Sequence, residues 1–216
     1  CCLVLDTSGS MDFGSDGATK MEYARRIAGT LGYLAAQQGD AVGLFCVADG
    51  VIQNVPPRRN PAHLVHVFDV LDKTLPDGRT RLVPVLHELA ETIEQRALIV
   101  IVSDLFVEPE QLRGCFEHLR FRKHDVAAFH LLDPRELGFD FYRPMRFLDM
   151  EGGPSLFAEP TEIADRYHKA LELYLDGIRR IVLESAIDYH RVSIDEDYEK
   201  VLMRFLVGRT RARGVR

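Results

Sequence analysis

Hydrophobic and polar positions change period several times along the chain, and these changes predict strands and helices in alternation. Short apolar runs indicate buried strands, whereas apolar residues spaced three or four positions apart indicate helices packed on one face. The predicted strands span residues 1–5, 41–48, 51–55, 97–103 and 125–132. The predicted helices span residues 20–38, 61–73, 81–94 and 109–122. This order predicts an α/β fold of Rossmann-like type, with a mostly parallel central sheet and helices on both faces.

The pattern changes after residue 133, where shorter elements precede one long helix. The elements predicted there are strands at 144–150, 155–158 and 187–194, and helices at 161–184 and 195–207. The first two of these strands form a predicted hairpin across Gly152-Gly153, because paired glycines favour tight turns. Asp195 is the predicted cap of the closing helix.

Length and composition are those of a single globular domain. The 216 residues are 46% hydrophobic and 28% charged, and no repeat or low-complexity linker divides them. We therefore expect one domain over residues 1–209, with a core at 1–133 and an extension of the same domain at 134–209. A basic tail at 210–216 follows it.

Charge and cysteine usage narrow the possible partners and the compartment. The net charge of −6 argues against a nucleic-acid partner. The four cysteines lack metal-binding or disulfide spacing, which favours a reducing, cytoplasmic location. No stretch reaches the roughly 18 consecutive apolar residues of a membrane span, so we expect no membrane segment within this chain. The first strand begins without an initiator Met, so we also expect upstream sequence, where an anchor or another domain would lie.

The first predicted strand leads into a polar motif, Asp6-Thr7-Ser8-Gly9-Ser10. Alternate side chains of extended backbone point to the same side, so Asp6, Ser8 and Ser10 can direct three oxygens to one place. Oxygen ligands that carry little charge suit Mg²⁺ or Mn²⁺ better than Zn²⁺. Ser and Gly are also ordinary turn residues, so the motif needs support from elsewhere in the chain.

Two later segments provide that support. Thr80 precedes the predicted helix at 81–94, and Asp104 follows the predicted strand at 97–103. In a parallel α/β sheet, ligands bind outside the carboxyl ends of the strands, where Asp104 would lie beside Asp6. Taken singly, Thr80 could be a helix N-cap and Asp104 a turn residue. Their order along the chain favours a metal site, with the ligands Asp6, Ser8, Ser10, Thr80 and Asp104.

These five residues resemble the metal-ion-dependent adhesion site (MIDAS) of von Willebrand factor A (VWA) domains, whose pattern is Asp-x-Ser-x-Ser, a distant Thr and a distant Asp. The whole chain is similar to the DUF58 family of bacterial proteins, which carry a VWA domain. Further segments contribute to this resemblance, namely 38–44, 56–59, 102–104, 133–137, 187–190 and 206–209. Arg79 departs from the family pattern, in which a small residue more often precedes the Thr.

The resemblance implies a protein-binding function. Such proteins are often encoded beside MoxR-type AAA+ ATPases and are thought to act with them in assembling or activating other proteins. We expect Mg²⁺ or Mn²⁺ at the site to accept a carboxylate from a protein partner, with a MoxR-type ATPase as the expected partner. Since the hydroxyl ligands are neutral, Asp6 and Asp104 would supply the only nearby negative charge, which leaves the ion able to take another anionic ligand.

The alternative is a Mg²⁺-dependent hydrolase acting on phosphoesters. An Asp at the end of a first strand is also the nucleophile position of haloacid-dehalogenase-type phosphatases. Those enzymes have a second carboxylate two residues later for proton transfer, where this chain has Ser8. No Gly-rich phosphate loop followed by Lys is present in the sequence either. We therefore favour a binding protein over an enzyme.

Two other groups of residues have metal-ligand chemistry. His63 and His66 are three positions apart in a predicted helix and could share Zn²⁺, but no acidic third ligand is obvious. Asp12 and Asp16 lie in a glycine-containing loop but lack the spacing and terminal Glu of a calcium-binding EF-hand. We expect surface or half-buried histidines in the first case and a solvated loop in the second.

The basic segments and the longest apolar stripe do not indicate additional binding sites. Residues 56–59 and 209–216 are basic but lack the interleaved aromatic residues of a nucleic-acid site. The apolar stripe of the helix at 161–184 indicates core packing, with a docking surface as the less favoured interpretation. None of these three segments changes the expected function.

Overall fold

A mostly parallel sheet of six strands lies at the centre of the molecule. The computed structural model describes residues 1–15 and 17–213, with side chains as far as residue 209. The strands in that part are β1 (Cys2–Asp6), β2 (Val42–Val47), β3 (Val51–Arg58), β4 (Leu98–Ser103), β5 (Asp125–Leu132), β6 (Met145–Phe147), β7 (Leu156–Ala158) and β8 (Asp188–Ser193). The helices are α1 (Lys20–Gln37), α2 (Pro61–Lys73), α3 (Leu82–Thr92), α4 (Pro109–Phe121), α5 (Pro134–Gly138), α6 (Pro160–Glu184) and α7 (Tyr198–Arg213).

The strand order in the sheet is β3-β2-β1-β4-β5-β8. Strands β2, β1, β4, β5 and β8 pair in parallel with their neighbours in the sheet. Strand β3 at the edge is antiparallel to β2. From β1 the chain first moves to β2 and β3 on one side, and it later returns to add β4 on the other side. The pair β1 and β4 is therefore the topological switch point, where a crevice opens at the carboxyl ends of the strands. The predicted α/β fold with a mostly parallel sheet is confirmed.

Helices cover both faces of the sheet, as predicted. Successive side chains of β1 point to opposite faces. Leu3 and Leu5 pack with α1, α2 and α7 on one face, and Cys2 and Val4 pack with α3, α4 and α6 on the other. All of β1 is buried, which explains why the sequence there is apolar without alternation until it reaches Asp6.

Strand β3 and helix α7 are among the elements whose ends differ from the prediction. β3 continues to Arg58 through Pro56-Pro57, although the sequence predicted an end at residue 55. Proline is tolerated there because an edge strand needs no hydrogen-bond donor on its outer side. The closing helix α7 reaches Arg213 rather than residue 207.

The predicted cap of the closing helix is wrong by two residues. The Asp197 carboxylate accepts a hydrogen bond from the Glu199 backbone N at 3.0 Å, so Asp197 caps the helix. The carboxylate of Asp195 accepts instead from the Ser193 hydroxyl. Both aspartates precede the helix, and the sequence alone does not distinguish the two positions.

The extension after β5 places further groups at the carboxyl end of the sheet. β6 and β7 form the predicted antiparallel hairpin. The short helix α5, which the sequence pattern did not predict, has a capping box formed by Asp133 and Glu136. Phe139 ends α5, and its ring stacks on Tyr167 of α6 with centroids 4.2 Å apart and on Phe147 of β6 with centroids 5.8 Å apart. These aromatic contacts hold the β6–β7 hairpin against α5 and α6.

Within the described ranges, no helix combines the length and the apolar character needed to cross a membrane. Two sequence predictions concern residues outside the description. Asp16 is one of them, so the proposed loop of Asp12 and Asp16 has no structural test. The other is the end of the predicted basic tail, at residues 214–216.

Candidate metal centre

The predicted site residues converge at the carboxyl end of the sheet. Asp6 is the last residue of β1, and Asp104 directly follows β4. Because β1 and β4 are adjacent and parallel, both carboxylates lie at the switch point. Ser8 and Ser10 belong to the loop and 3₁₀ turn that leave β1.

Backbone hydrogen bonds bring Thr80 to the same loop. The Gly9 N donates to the Gly78 O at 2.9 Å, which holds the segment before α3 against the loop after β1. Gly78 has φ 78°, a left-handed conformation that glycine adopts without steric cost. Arg81 occupies the N-cap position of α3. Thr80 is therefore not the helix cap that the sequence left open as an alternative to a metal ligand.

Asp6 is buried, and its carboxylate accepts hydrogen bonds from two serine hydroxyls. Its Oδ1 accepts from the Ser8 Oγ at 2.7 Å, and its Oδ2 accepts from the Ser103 Oγ at 2.5 Å. The Ser8 Oγ lies 3.1 Å from the Ser10 Oγ. Since both carboxylate oxygens are engaged, Asp6 orients Ser8 and supplies negative charge, and the serine oxygens remain available to contact an ion.

Burial changes how Asp6 titrates. Burial, and after it the negative charge of Asp104, raises the pKa of Asp6 from 3.8 to about 6, although hydrogen bonds from Ser103 and Ser8 oppose the shift. Asp6 is therefore ionised at neutral pH at a cost in stability. A cation at the site would favour the ionised form and relieve this cost.

Asp104 is paired with a buried lysine. The Lys20 Nζ donates to the Asp104 Oδ2 at 2.8 Å and to the Glu136 Oε1 at 2.7 Å, and the side chains of Lys20 and Asp104 are 0% exposed. Burial disfavours the charged form of Lys20, but Asp104 and Glu136 outweigh it and raise its pKa above the usual value. Lys20 is therefore a fixed positive charge beside the site.

Sequence reasoning missed both Lys20 and Glu136. The expectation that Asp6 and Asp104 are the only nearby anions is wrong, because Glu136 of α5 shares the Lys20 ammonium. A signal was present in the sequence, since Lys20 precedes Ala24 by four positions and therefore lies on the buried face of α1. A lysine at an apolar helical position requires a buried anionic partner.

The departure at Arg79 also has a structural role. Its Nε donates to the backbone O of Glu151, in the loop of the β6–β7 hairpin, at 3.1 Å. The Glu151 Oε2 in turn accepts from the Thr80 N at 3.0 Å. Arg79 therefore anchors the hairpin loop beside the site, and this loop adds Glu151, an acidic residue that the sequence did not reveal there.

The chemistry of these donors fits a hard divalent cation. No three His, Cys, Asp or Glu side chains of the described chain are placed so that they could hold a metal ion by themselves. A site here therefore depends on the hydroxyls of Ser8, Ser10 and Thr80, supported by the two carboxylates. Neutral oxygens with few anions suit Mg²⁺ or Mn²⁺ and do not suit Zn²⁺.

The histidine pair gains no support as a zinc site. The His63 Nε2 lies 3.0 Å from the Val42 O, and the rings of His63 and His66 are 6.5 Å apart. His63 therefore has a structural hydrogen bond between α2 and β2. The absence of a His, Cys, Asp or Glu cluster among the described residues applies here as well.

An aromatic groove opens beside the site. Its volume is about 460 Å³, and it begins at Ser10 and Glu136. Its aromatic lining consists of Phe13, Phe106, Phe139, Phe141, Phe147 and Tyr167. A larger cleft, of about 900 Å³, lies at the opposite end of the sheet beside Cys1 and Asp125. Despite its size, that cleft is remote from the candidate metal ligands, and the site chemistry favours the smaller groove.

Comparison with protein families decides how the chain is classified. The profile of DUF58, described as a protein of unknown function, matches residues 1–172 of the 216. The chain belongs to the DUF58 family. The matched region contains every residue of the candidate centre, including Lys20 and Glu151, and it ends within α6. Strand β8 and helix α7 lie beyond it.

Individual relatives and solved structures are also similar to the chain. Uncharacterized proteins of Mycobacterium tuberculosis and Mycobacterium bovis are 24% identical to this DUF58 chain over 214 residues, covering 97% of it and 67% of the relative. An aerotolerance-related membrane protein from Bacteroides fragilis has a TM-score of 0.59 at 14% identity, covering 94% of this chain and 96% of that one. The conserved hypothetical protein BatB from Bacteroides thetaiotaomicron has a TM-score of 0.56 at 16% identity, covering 97% and 98%. At these identities the two structures show a shared fold alone.

Proposed function

We propose that this DUF58 chain is a protein-binding module that uses Mg²⁺ or Mn²⁺, with a VWA-type MIDAS at the β1/β4 switch point. The observation that carries the proposal is the meeting of the Ser8 and Ser10 hydroxyls with two buried carboxylates at one end of the sheet, where backbone hydrogen bonds also hold the segment that carries Thr80. Ser8, Ser10 and Thr80 would hold the ion through their oxygens. Asp6 would orient Ser8, and Asp104 would contribute negative charge that Lys20 partly offsets. When bound, the ion offers an electrophilic centre for a further anionic ligand.

The surface beside the site supports a protein as the partner. Phe106, Leu148 and Met150 line the aromatic groove and are 45%, 69% and 41% exposed. Exposed apolar side chains grouped around a polar site are typical of protein-binding surfaces. A partner that supplies a carboxylate to the metal and apolar side chains to the groove would match this surface.

Family membership supports a particular class of partner. Because DUF58 proteins are often encoded beside MoxR-type AAA+ ATPases, we propose that the module acts with such an ATPase in assembling or activating other proteins. The metal would then make the association depend on divalent cations. The family relationship supports this choice, and the site supports the metal dependence.

The geometry disfavours the alternative of a phosphoester hydrolase. A nucleophilic carboxylate must present a free oxygen to phosphorus. Both oxygens of Asp6 accept serine hydroxyl hydrogen bonds, and the side chain is buried. Ser8, two residues later, cannot act as the carboxylic acid that such a mechanism requires.

Removing the charge of Asp6 should weaken metal binding. We expect Asp6→Asn to lower the affinity for Mn²⁺ by roughly tenfold or more, because the ion loses a buried anion and the correctly oriented Ser8 hydroxyl. Isothermal titration calorimetry measures the change. Asp72→Asn, an exposed residue of α2, is the matched control and should bind Mn²⁺ like the wild type. Equal affinities for the two variants would contradict the assignment.

Thr80→Val provides the test of partner binding. This change removes one hydroxyl and keeps the shape of the side chain, whereas Asp104→Ala would also break the ion pair with Lys20. Immobilised wild-type protein should retain a partner from a lysate of the source organism in Mg²⁺ and lose it in EDTA. Thr80→Val should lose the same partner in Mg²⁺. Retention of the same proteins by both forms, with or without EDTA, would contradict a metal-bridged interaction.

A further inference from the structure

The β6–β7 hairpin places a carboxylate beside the proposed metal ligands. Glu151 lies in the loop between the two strands, and its Oε2 accepts from the Thr80 backbone N at 3.0 Å. Thr80 is a proposed ligand, so the carboxylate stands directly against the site. No other side chain of the hairpin loop has such a contact among the described residues.

The hairpin loop is fixed in this position by close backbone packing. A Cβ added at Gly9, between Ser8 and Ser10, would lie only 2.2 Å from the Met150 O, so the loop contacts the DTSGS segment without an intervening side chain. The Arg79 Nε donates a hydrogen bond to the Glu151 backbone O, and the Asp149 Oδ1 accepts one from the Glu151 backbone N at 2.8 Å. Two of these contacts come from neighbouring segments and one from within the loop, and together they hold Glu151 beside the site.

The second oxygen of Glu151 lacks a partner. Its Oε1 is buried and makes no hydrogen bond with any residue that the structure describes. A buried carboxylate oxygen without a donor is costly, because it has lost its hydration and gained nothing in return. A cation held by the neighbouring hydroxyls would satisfy it.

From this arrangement we infer that Glu151 is an internal carboxylate ligand of the metal, which stands where a partner's carboxylate must bind. The inference rests on the proposed function, because it concerns the same metal site. The free protein would then cap its own metal, and a partner would bind only by displacing Glu151. The exposed residues Leu148 and Met150 precede Glu151 in the same loop, so a partner that enters the aromatic groove would contact the loop that carries the competing group.

The test counts the water molecules on bound Mn²⁺. Electron paramagnetic resonance in ¹⁷O-labelled water should detect one more metal-bound water in Glu151→Ala than in the wild type. Calorimetry should show an affinity for Mn²⁺ lower by roughly tenfold. Labelled acetate, used as a carboxylate probe, should reach the metal in Glu151→Ala at lower concentration than in the wild type.

Two further variants make the outcome decisive. Glu159→Ala removes an exposed carboxylate just after β7 that makes no capping hydrogen bond, so it should leave all three readouts unchanged. Glu151→Gln keeps an oxygen for the Thr80 amide, and it replaces Glu151→Ala if that protein does not fold. Wild-type affinity and water count in the Glu151 variants would overturn the inference while the metal site stands. Failure of the wild type itself to bind Mn²⁺ would overturn the proposed function together with the inference.

Discussion

Replacing Lys20 with methionine should lower the free energy of unfolding by about 3 to 5 kcal/mol, the usual cost of removing one partner from a buried ion pair. Methionine has a similar length but leaves Asp104, which is fully buried, without its counter-charge. Glu136 loses the same ammonium. Urea denaturation of the metal-free protein, followed by circular dichroism, measures the loss.

A surface lysine provides the matched control. Lys73 pairs with Asp69 at 2.6 Å, but the two side chains are 71% and 50% exposed. Lys73→Met should therefore change stability by no more than about 0.5 kcal/mol. Adding Asp104→Asn to Lys20→Met should restore part of the lost stability, because the uncompensated charge is then gone. A loss below about 1 kcal/mol for Lys20→Met would contradict a buried pair.

In EDTA, the stability of the wild type should fall by about 2 kcal/mol relative to Asp6→Asn as the pH rises from 4 to 7. The pKa of Asp6 is raised from 3.8 to about 6 in the folded protein, mainly by burial. Below pH 3.8 the group is protonated in both states and carries no penalty. Between these values the unfolded chain is already ionised while the folded protein keeps its proton, so stability decreases with pH. Each unit of pKa difference corresponds to about 1.4 kcal/mol.

Denaturation curves of both proteins across this pH range provide the measurement. Groups that do not interact with Asp6 titrate alike in the two proteins and cancel in the difference. Added Mg²⁺ should reduce the decline in the wild type, because a cation at the site stabilises the ionised form of Asp6. A difference between the proteins that stays constant from pH 4 to 7 would show that Asp6 titrates normally.

The sequence predicted the sheet well, and with it the position of the two aspartates, because both depend on local patterns. Apolar runs in parallel strands are buried on both faces, so they are readily recognised and place Asp6 and Asp104 at the strand ends. Elements bounded by proline were also predicted closely, as in α2, which starts at Pro61 as expected. The sequence could not decide between neighbouring residues of the same type, such as Asp195 and Asp197 as the cap of α7.

The groups that modify the site were missed because they come from distant segments. Lys20 meets Glu136 across 116 positions, and Glu151 meets Thr80 across 71. Neither contact follows from the period of apolar residues, since Glu136 and Glu151 lie in the extension, where short elements are placed by tertiary packing. The aromatic stacking around Phe139 positions this extension and has no local sequence signature.

The most direct test of the metal site is anomalous X-ray diffraction from crystals grown with Mn²⁺. We expect one anomalous peak at the carboxyl ends of β1 and β4, within coordination distance of the hydroxyl oxygens of Ser8 and Ser10, with Thr80 and Glu151 close by. Such a peak would establish the ion on which the proposed binding function depends. An absence of anomalous density there at saturating Mn²⁺, with Asp6 still hydrogen-bonded to Ser8 and Ser103, would contradict the account.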